Sequence, residues 1–142
     1  MIYGLPTYLI DFTVFNAPDH WKVPSSRFKT VAETFDFTGD DVNFCMRVLE
    51  KNGLGNDTSF PPGIMSNPPN ITLPMARAEA EVVMFTCIDE LFTRTGLKPT
   101  DIDILITNCS LFCPTPSLSA MIIQNYKMRS DIQNYSLGMY TL

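Results

Sequence analysis

The chain has 142 residues, 45% of them hydrophobic and 18% charged, and a net charge of -5. That length and composition suit one globular domain of about 100–200 residues. The acidic balance, with basic residues scattered rather than clustered, excludes a nucleic-acid surface built on Lys and Arg stripes.

Tyr8–Phe15 (Y-L-I-D-F-T-V-F) is β-branched and aromatic and predicts a strand. Asn16–Ser26 reads as a Pro-containing loop around His20 and Trp21, and Ser25–Phe35 as a weak helix. Gly39-Asp40-Asp41 offers an N-cap for a helix over Asp41–Asn52, with Phe44, Val48 and Leu49 on one face and Gly53 as its stop. Gly53–Pro74 has no periodicity. Leu54, Phe60, Ile64 and Met65 punctuate it, so it is expected to be an ordered, packed loop.

Met75–Thr95 carries the strongest helical pattern. Ala76, Ala80, Val83, Met84, Cys87, Ile88, Leu91 and Phe92 form an apolar face, opposite Arg77, Glu79, Glu81, Glu90 and Arg94. Pro74 suits its start and Gly96 its end. A Lys98–Asp101 turn leads into a strand over Ile102–Thr107, a helix over Ser117–Met128 and a last strand over Ile132–Leu137. Strands separated by helices predict an α/β layered fold with a parallel or mixed sheet.

Chemistry-bearing residues are sparse. Cys109 and Cys113 form a C-x-x-x-C spacing, but structural zinc needs four ligands, and the other candidates, Cys45, Cys87 and His20, lie far off in sequence. The spacing also departs from the C-x-x-C of thioredoxin-type redox pairs. Asp40-Asp41 reads as a helix start, stabilised by the macrodipole. Gly53-Leu54-Gly55-Asn56 follows a helix, the wrong context for a phosphate loop. No metal and no cofactor are expected. Met1–Phe15 lacks the pattern of a secretory signal, and no stretch reaches the roughly 18–20 apolar residues of a membrane span. A reducing compartment with free thiols follows.

Residues 108–123, N-C-S-L-F-C-P-T-P-S-L-S-A-M-I-I, closely resemble a stretch of the plant 3-ketoacyl-CoA synthases, the condensing enzymes of very-long-chain fatty acid elongation. Y-L-I-D-F at 8–12, G-L-G-N-D-T at 53–58, A-R-A-E-A-E-V-V-M-F at 76–85 and K-P-T-D-I-D-I-L-I-T-N at 98–108 match the same family in the same order. The resemblance implies a thiolase-like fold, of which residues 1–142 would form part of the N-terminal half, with a mixed sheet and packing helices. It implies acyl-CoA and malonyl-CoA as substrates, a homodimer or elongase-complex partners, and a cytosol-facing place on the endoplasmic reticulum membrane.

In that family the nucleophile is a Cys in a G-M-G-C-S-A-G-type turn. The last match here is Leu137-Gly138, and Tyr140-Thr141-Leu142 diverges. No catalytic residue is therefore carried over, and the segment alone is expected to be inactive and poorly soluble. The alternative is a non-catalytic module that pairs with a full-length synthase. Cys109 matches a family position other than the nucleophile, and Cys113 stands where the family typically has Asn. By the same resemblance Phe112, Thr115 and Pro116 are the candidates for an acyl-pocket or dimer loop.

Overall fold

A computed structural model describes residues 6–35 and 37–138. The chain divides into two units, one of residues 1–15 and 80–142, the other of residues 16–79.

In the unit of residues 16–79, a short 3-10 turn, Asp19–Trp21, precedes α1 (Ser25–Ala32) and α2 (Gly39–Lys51). The start of α2 is fixed by a reciprocal capping box. Thr38 Oγ1 accepts from the Asp41 amide at 3.3 Å, and the Thr38 amide donates to Asp41 Oδ2 at 2.9 Å. The cap is thus Thr38 and not the expected Gly39–Asp41. Gly53, at φ +75°, takes the left-handed position just past the helix end, which a side chain rarely adopts. The long segment after it is ordered, as expected. The Val23 amide donates to the Thr58 carbonyl at 2.7 Å, the Phe60 amide to the Trp21 carbonyl at 2.9 Å, and Lys22 bridges Ser59 in antiparallel fashion. A short helix, α3 (Pro62–Met65), follows. Trp21, Val23, Ala32 and Val42 form the buried core of this unit.

α4 (Leu73–Thr95) is the long helix the periodicity predicts, begun two residues earlier and ended by Gly96 at φ +70°. In the other unit, β1 (Ile104–Cys109), α5 (Leu118–Tyr126) and β2 (Gln133–Gly138) make a strand–helix–strand motif. The two strands are parallel, with Ile104 opposite Gln133 and Cys109 opposite Gly138. α5 stops where Lys127 turns left-handed at φ 52°, two residues before the expected end. Leu118, Met121 and Ile122 of α5 are buried, as is Ile132 just before β2.

Tyr8–Phe15, expected to be a strand, joins no ladder. Period-2 alternation survives, with Asp11, Thr13 and Phe15 half-buried and Phe12 and Val14 exposed. Side-chain bonds to α4 hold the segment instead. Arg94 donates to Asp11 Oδ1 at 2.6 Å and to the Phe12 carbonyl at 3.3 Å, and Thr13 Oγ1 donates to the Cys87 carbonyl at 3.2 Å. The class is α/β, with helices on a small sheet. Among the described residues that sheet is parallel rather than mixed.

Candidate functional site

β1 and β2 alternate their side chains across the sheet, so register partners share a face. One face turns Leu105, Thr107 and Cys109, with Asn134, Ser136 and Gly138, toward α5. The other turns Ile104, Ile106, Tyr135 and Leu137 outward, each about half exposed.

The α5 side is held by hydroxyls. Ser117 caps α5, its Oγ accepting from the Ala120 amide at 3.2 Å. Ser119 is fully buried, and its Oγ lies 3.0 Å from Ser117 Oγ and 2.8 Å from Ser136 Oγ. It also donates toward Asn134 Oδ1 at 3.3 Å, and Ser136 Oγ lies 3.2 Å from Thr107 Oγ1. The buried Ser119 oxygen therefore ties the helix to β2, and Ser136 carries the chain of hydroxyls on to Thr107 of β1. Among the described residues no buried side-chain N or O atom lacks a partner.

At the carboxyl ends of the two strands, where ligands of open α/β sheets bind, the 110–117 loop encloses a cavity of about 260 Å³. Phe112 and Leu118 supply its apolar surface, and Thr107, Ser117 and Ser136 its hydroxyls. Cys109, Cys113, Pro114 and Thr115 also line it, and Leu137 and Gly138 border it at the end of β2. Of the three loop residues picked from the sequence, Phe112 and Thr115 line this cavity, while Pro116 is exposed in the same loop and does not. Sequence reasoning missed the hydroxyl cluster. The pattern was there, in Ser117 and Ser119 two apart and Asn134 and Ser136 two apart, but spacing alone does not pair a helix with a strand.

Among the described residues no His or carboxylate lines the cavity, so the lining shows no general base of the kind a Cys–His nucleophile uses. The Cys113 thiol points at the Cys109 carbonyl, 3.7 Å away. His20 lies in the other unit, exposed, with its ring edge-on to Trp21 at 6.3 Å. Among the described residues no cluster of His, Cys, Asp and Glu could hold a metal ion. No helix there is long and apolar enough to cross a membrane.

A second cavity of the same unit, about 390 Å³, is almost wholly apolar and lies where the unladdered segment meets α4, between Leu9, Ile10, Leu91, Phe92 and Leu105. At the amino ends of the strands Arg129 forks onto Asp131 with two bonds of 2.7 Å and also bonds Asp103. The fork holds the Asp131 carboxyl down at about 2.

A loop-walled cavity at the carboxyl ends of parallel strands stands where ligands of open α/β sheets bind. The model of the FAE1/Type III polyketide synthase-like family matches residues 4–140, and the chain belongs to that family. It is 49% identical over 134 residues to 3-ketoacyl-CoA synthase 4 of Arabidopsis thaliana, covering 94% of this chain and 26% of that protein. It is 50% identical over 132 residues to 3-ketoacyl-CoA synthase 5 of the same plant, covering 92% of this chain and 27% of that one. 3-Ketoacyl-CoA synthase 6 is 47% identical over 132 residues. The chain spans about a quarter of the length of these curated relatives.

Proposed function

We propose that this chain is the part of a very-long-chain 3-ketoacyl-CoA synthase that supports and walls the acyl site. In the family reaction an acyl group passes from CoA sulfur to a cysteine thiolate. Malonyl-CoA then loses carbon dioxide, and the carbanion formed attacks the thioester carbonyl, expelling the thiolate and leaving 3-ketoacyl-CoA. The residues described here supply no nucleophile to that scheme. Their contribution is a wall, with Phe112 and Leu118 as apolar surface, Thr115 at the rim and the Ser119 cluster fixing the strands beneath.

The observation that carries the reading is the position of the Phe112–Thr115 loop, which closes a partly apolar cavity over the carboxyl ends of two parallel strands. The substrates are acyl-CoA and malonyl-CoA, with no further cofactor. The working enzyme is a dimer or a member of an elongase complex, on the cytosolic side of the endoplasmic reticulum membrane. To test this, residues 6–138 replace the matching segment of 3-ketoacyl-CoA synthase 4, and microsomes bearing the chimera are given labelled malonyl-CoA and a long-chain acyl-CoA. Labelled 3-ketoacyl product is expected. A chimera that accumulates and folds like its parent yet makes none overturns the reading.

The exposed sheet face of Ile104, Ile106, Tyr135 and Leu137 favours a second reading, a module that associates with a full-length synthase. Co-purification of the 142-residue chain with such a synthase in mild detergent, abolished by Ile106→Lys, supports it. No association counts against it.

A further inference from the structure

Cys113 is exposed at the mouth of the strand-end cavity, and Cys109, half-buried, lines the same cavity as the last residue of β1. The Cys113 thiol turns back onto Cys109, its Sγ lying 3.7 Å from the Cys109 carbonyl oxygen. Within one residue the carbonyl oxygen and Cβ are about 3 Å apart, so the sulfur already stands near the side chain it would bridge. A disulfide needs the two Cβ atoms about 3.8 Å apart. The connecting segment can make that adjustment, because residues 110–117 form neither helix nor ladder, and Leu111 is 96% exposed. Cys45 and Cys87 are held in α2 and α4, half-buried, and neither lines this cavity.

We propose that Cys109 and Cys113 form a dithiol modification site that closes to a disulfide by exchange with low-molecular-weight disulfides. The exposed Cys113 thiolate attacks one sulfur of the small disulfide. That S–S bond breaks, one small thiolate leaves and takes up a proton, and a mixed disulfide forms on Cys113. The Cys109 thiolate then attacks the Cys113 sulfur, the Cys109–Cys113 bond forms, and the second small thiol leaves. Two protein thiols are oxidised and one small disulfide is reduced to two thiols. The ring formed fixes the loop that carries Phe112, so the cavity wall becomes sensitive to thiol–disulfide balance. This is reversible chemistry between chain neighbours, distinct from a thioredoxin-type pair, and it stands whether or not the cavity holds an acyl chain.

The test is peptide mapping of the native full chain after incubation with glutathione disulfide, with remaining thiols alkylated. Trypsin leaves both cysteines in the one peptide Thr95–Lys127. The expected result is that this peptide loses two hydrogens while Cys45 and Cys87 stay alkylatable. The closed form should exceed the Cys113 mixed disulfide by at least about tenfold, because the second thiol is held at high effective concentration. Cys109→Ser should instead trap glutathione on Cys113. A wild-type chain that accumulates the mixed disulfide without closing, or that oxidises all four thiols alike, overturns the proposal.

Discussion

The phenol of Tyr126, at the end of α5, donates a 2.7 Å hydrogen bond to Oδ1 of Asp89 on α4. It also lies 3.2 Å from the Phe85 carbonyl, and its ring meets Phe85 and Phe92 edge-on at 5.6 Å. This one side chain fastens α5 to α4. Burial raises its pKa above the ordinary phenol value, and the bond to Asp89 raises it further. A raised folded-state pKa stabilises the fold below pH 10 and is lost as pH climbs through the higher folded value.

Tyr126→Phe keeps the ring contacts and removes the donor, so it should cost about 1.5–3 kcal/mol, the range for a bond to a charged acceptor. Urea unfolding followed by circular dichroism measures it. The variant should also lose the part of the alkaline destabilisation that the wild type shows above pH 10. An unchanged midpoint and an unchanged alkaline limb would show that the hydrogen bond contributes nothing.

Ser119→Ala removes the oxygen that joins α5 to β2. The cost should be about 1–3 kcal/mol, since Asn134 and the neighbouring hydroxyls lose a buried partner. Hydrogen exchange at the amides of α5 and β2 should quicken together. Acceleration confined to α5 would mean that the hydroxyls do not couple it to the strand.

At Gly63 an added Cβ would stand 2.5 Å from the backbone oxygen of Asn70, whose amide bonds the Gly63 carbonyl at 2.8 Å. Backbone cannot yield as a flexible side chain can. Gly63→Ala should therefore cost about 1–3 kcal/mol, as overpacking does. Trp21, the single tryptophan, is buried in the same unit and reports its unfolding by fluorescence. A variant as stable as the wild type would show that the Gly63–Asn70 turn tolerates the side chain.

Acid sensitivity should have a component at Asp131. The hydrogen bond from Arg129 lowers its carboxyl from 3.8 to about 2. A lowered folded-state pKa contributes stability above the unfolded value and loses it as pH falls through the folded one. The difference between wild type and Asp131→Asn should therefore shrink as pH falls from 3.8 to about 2. Thermal melts across that window check it, and a difference independent of pH contradicts the assignment.

The sequence was most legible where local signals coincide with packing. α4 was recognisable because apolar residues recur at helical spacing in its sequence and Gly96 supplies the left-handed stop, although none of its residues is fully buried. The strands Ile104–Cys109 and Gln133–Gly138 appeared within one or two residues of their places, shifted because ladder bonds and not β-branched residues set their ends. Tyr8–Phe15 was the miss. Its β-propensity describes a surface that fits a sheet but names no partner, and side-chain bonds from α4 hold it instead. At the site, Phe112, Thr115 and Pro116 were all named through resemblance; Phe112 and Thr115 line the cavity, and Pro116 is exposed in the same loop. The hydroxyl cluster needed three dimensions, because Ser119 meets Ser136 only after the chain crosses back.

Product length from the chimera tests the acyl-wall account most directly. Phe112→Trp narrows the cavity and Phe112→Ala widens it. The account predicts that the Trp chimera makes shorter 3-ketoacyl products and the Ala chimera longer ones, with total incorporation of labelled malonyl-CoA retained. Identical product lengths from both variants and the parent chimera, whether total activity holds or falls, would contradict it.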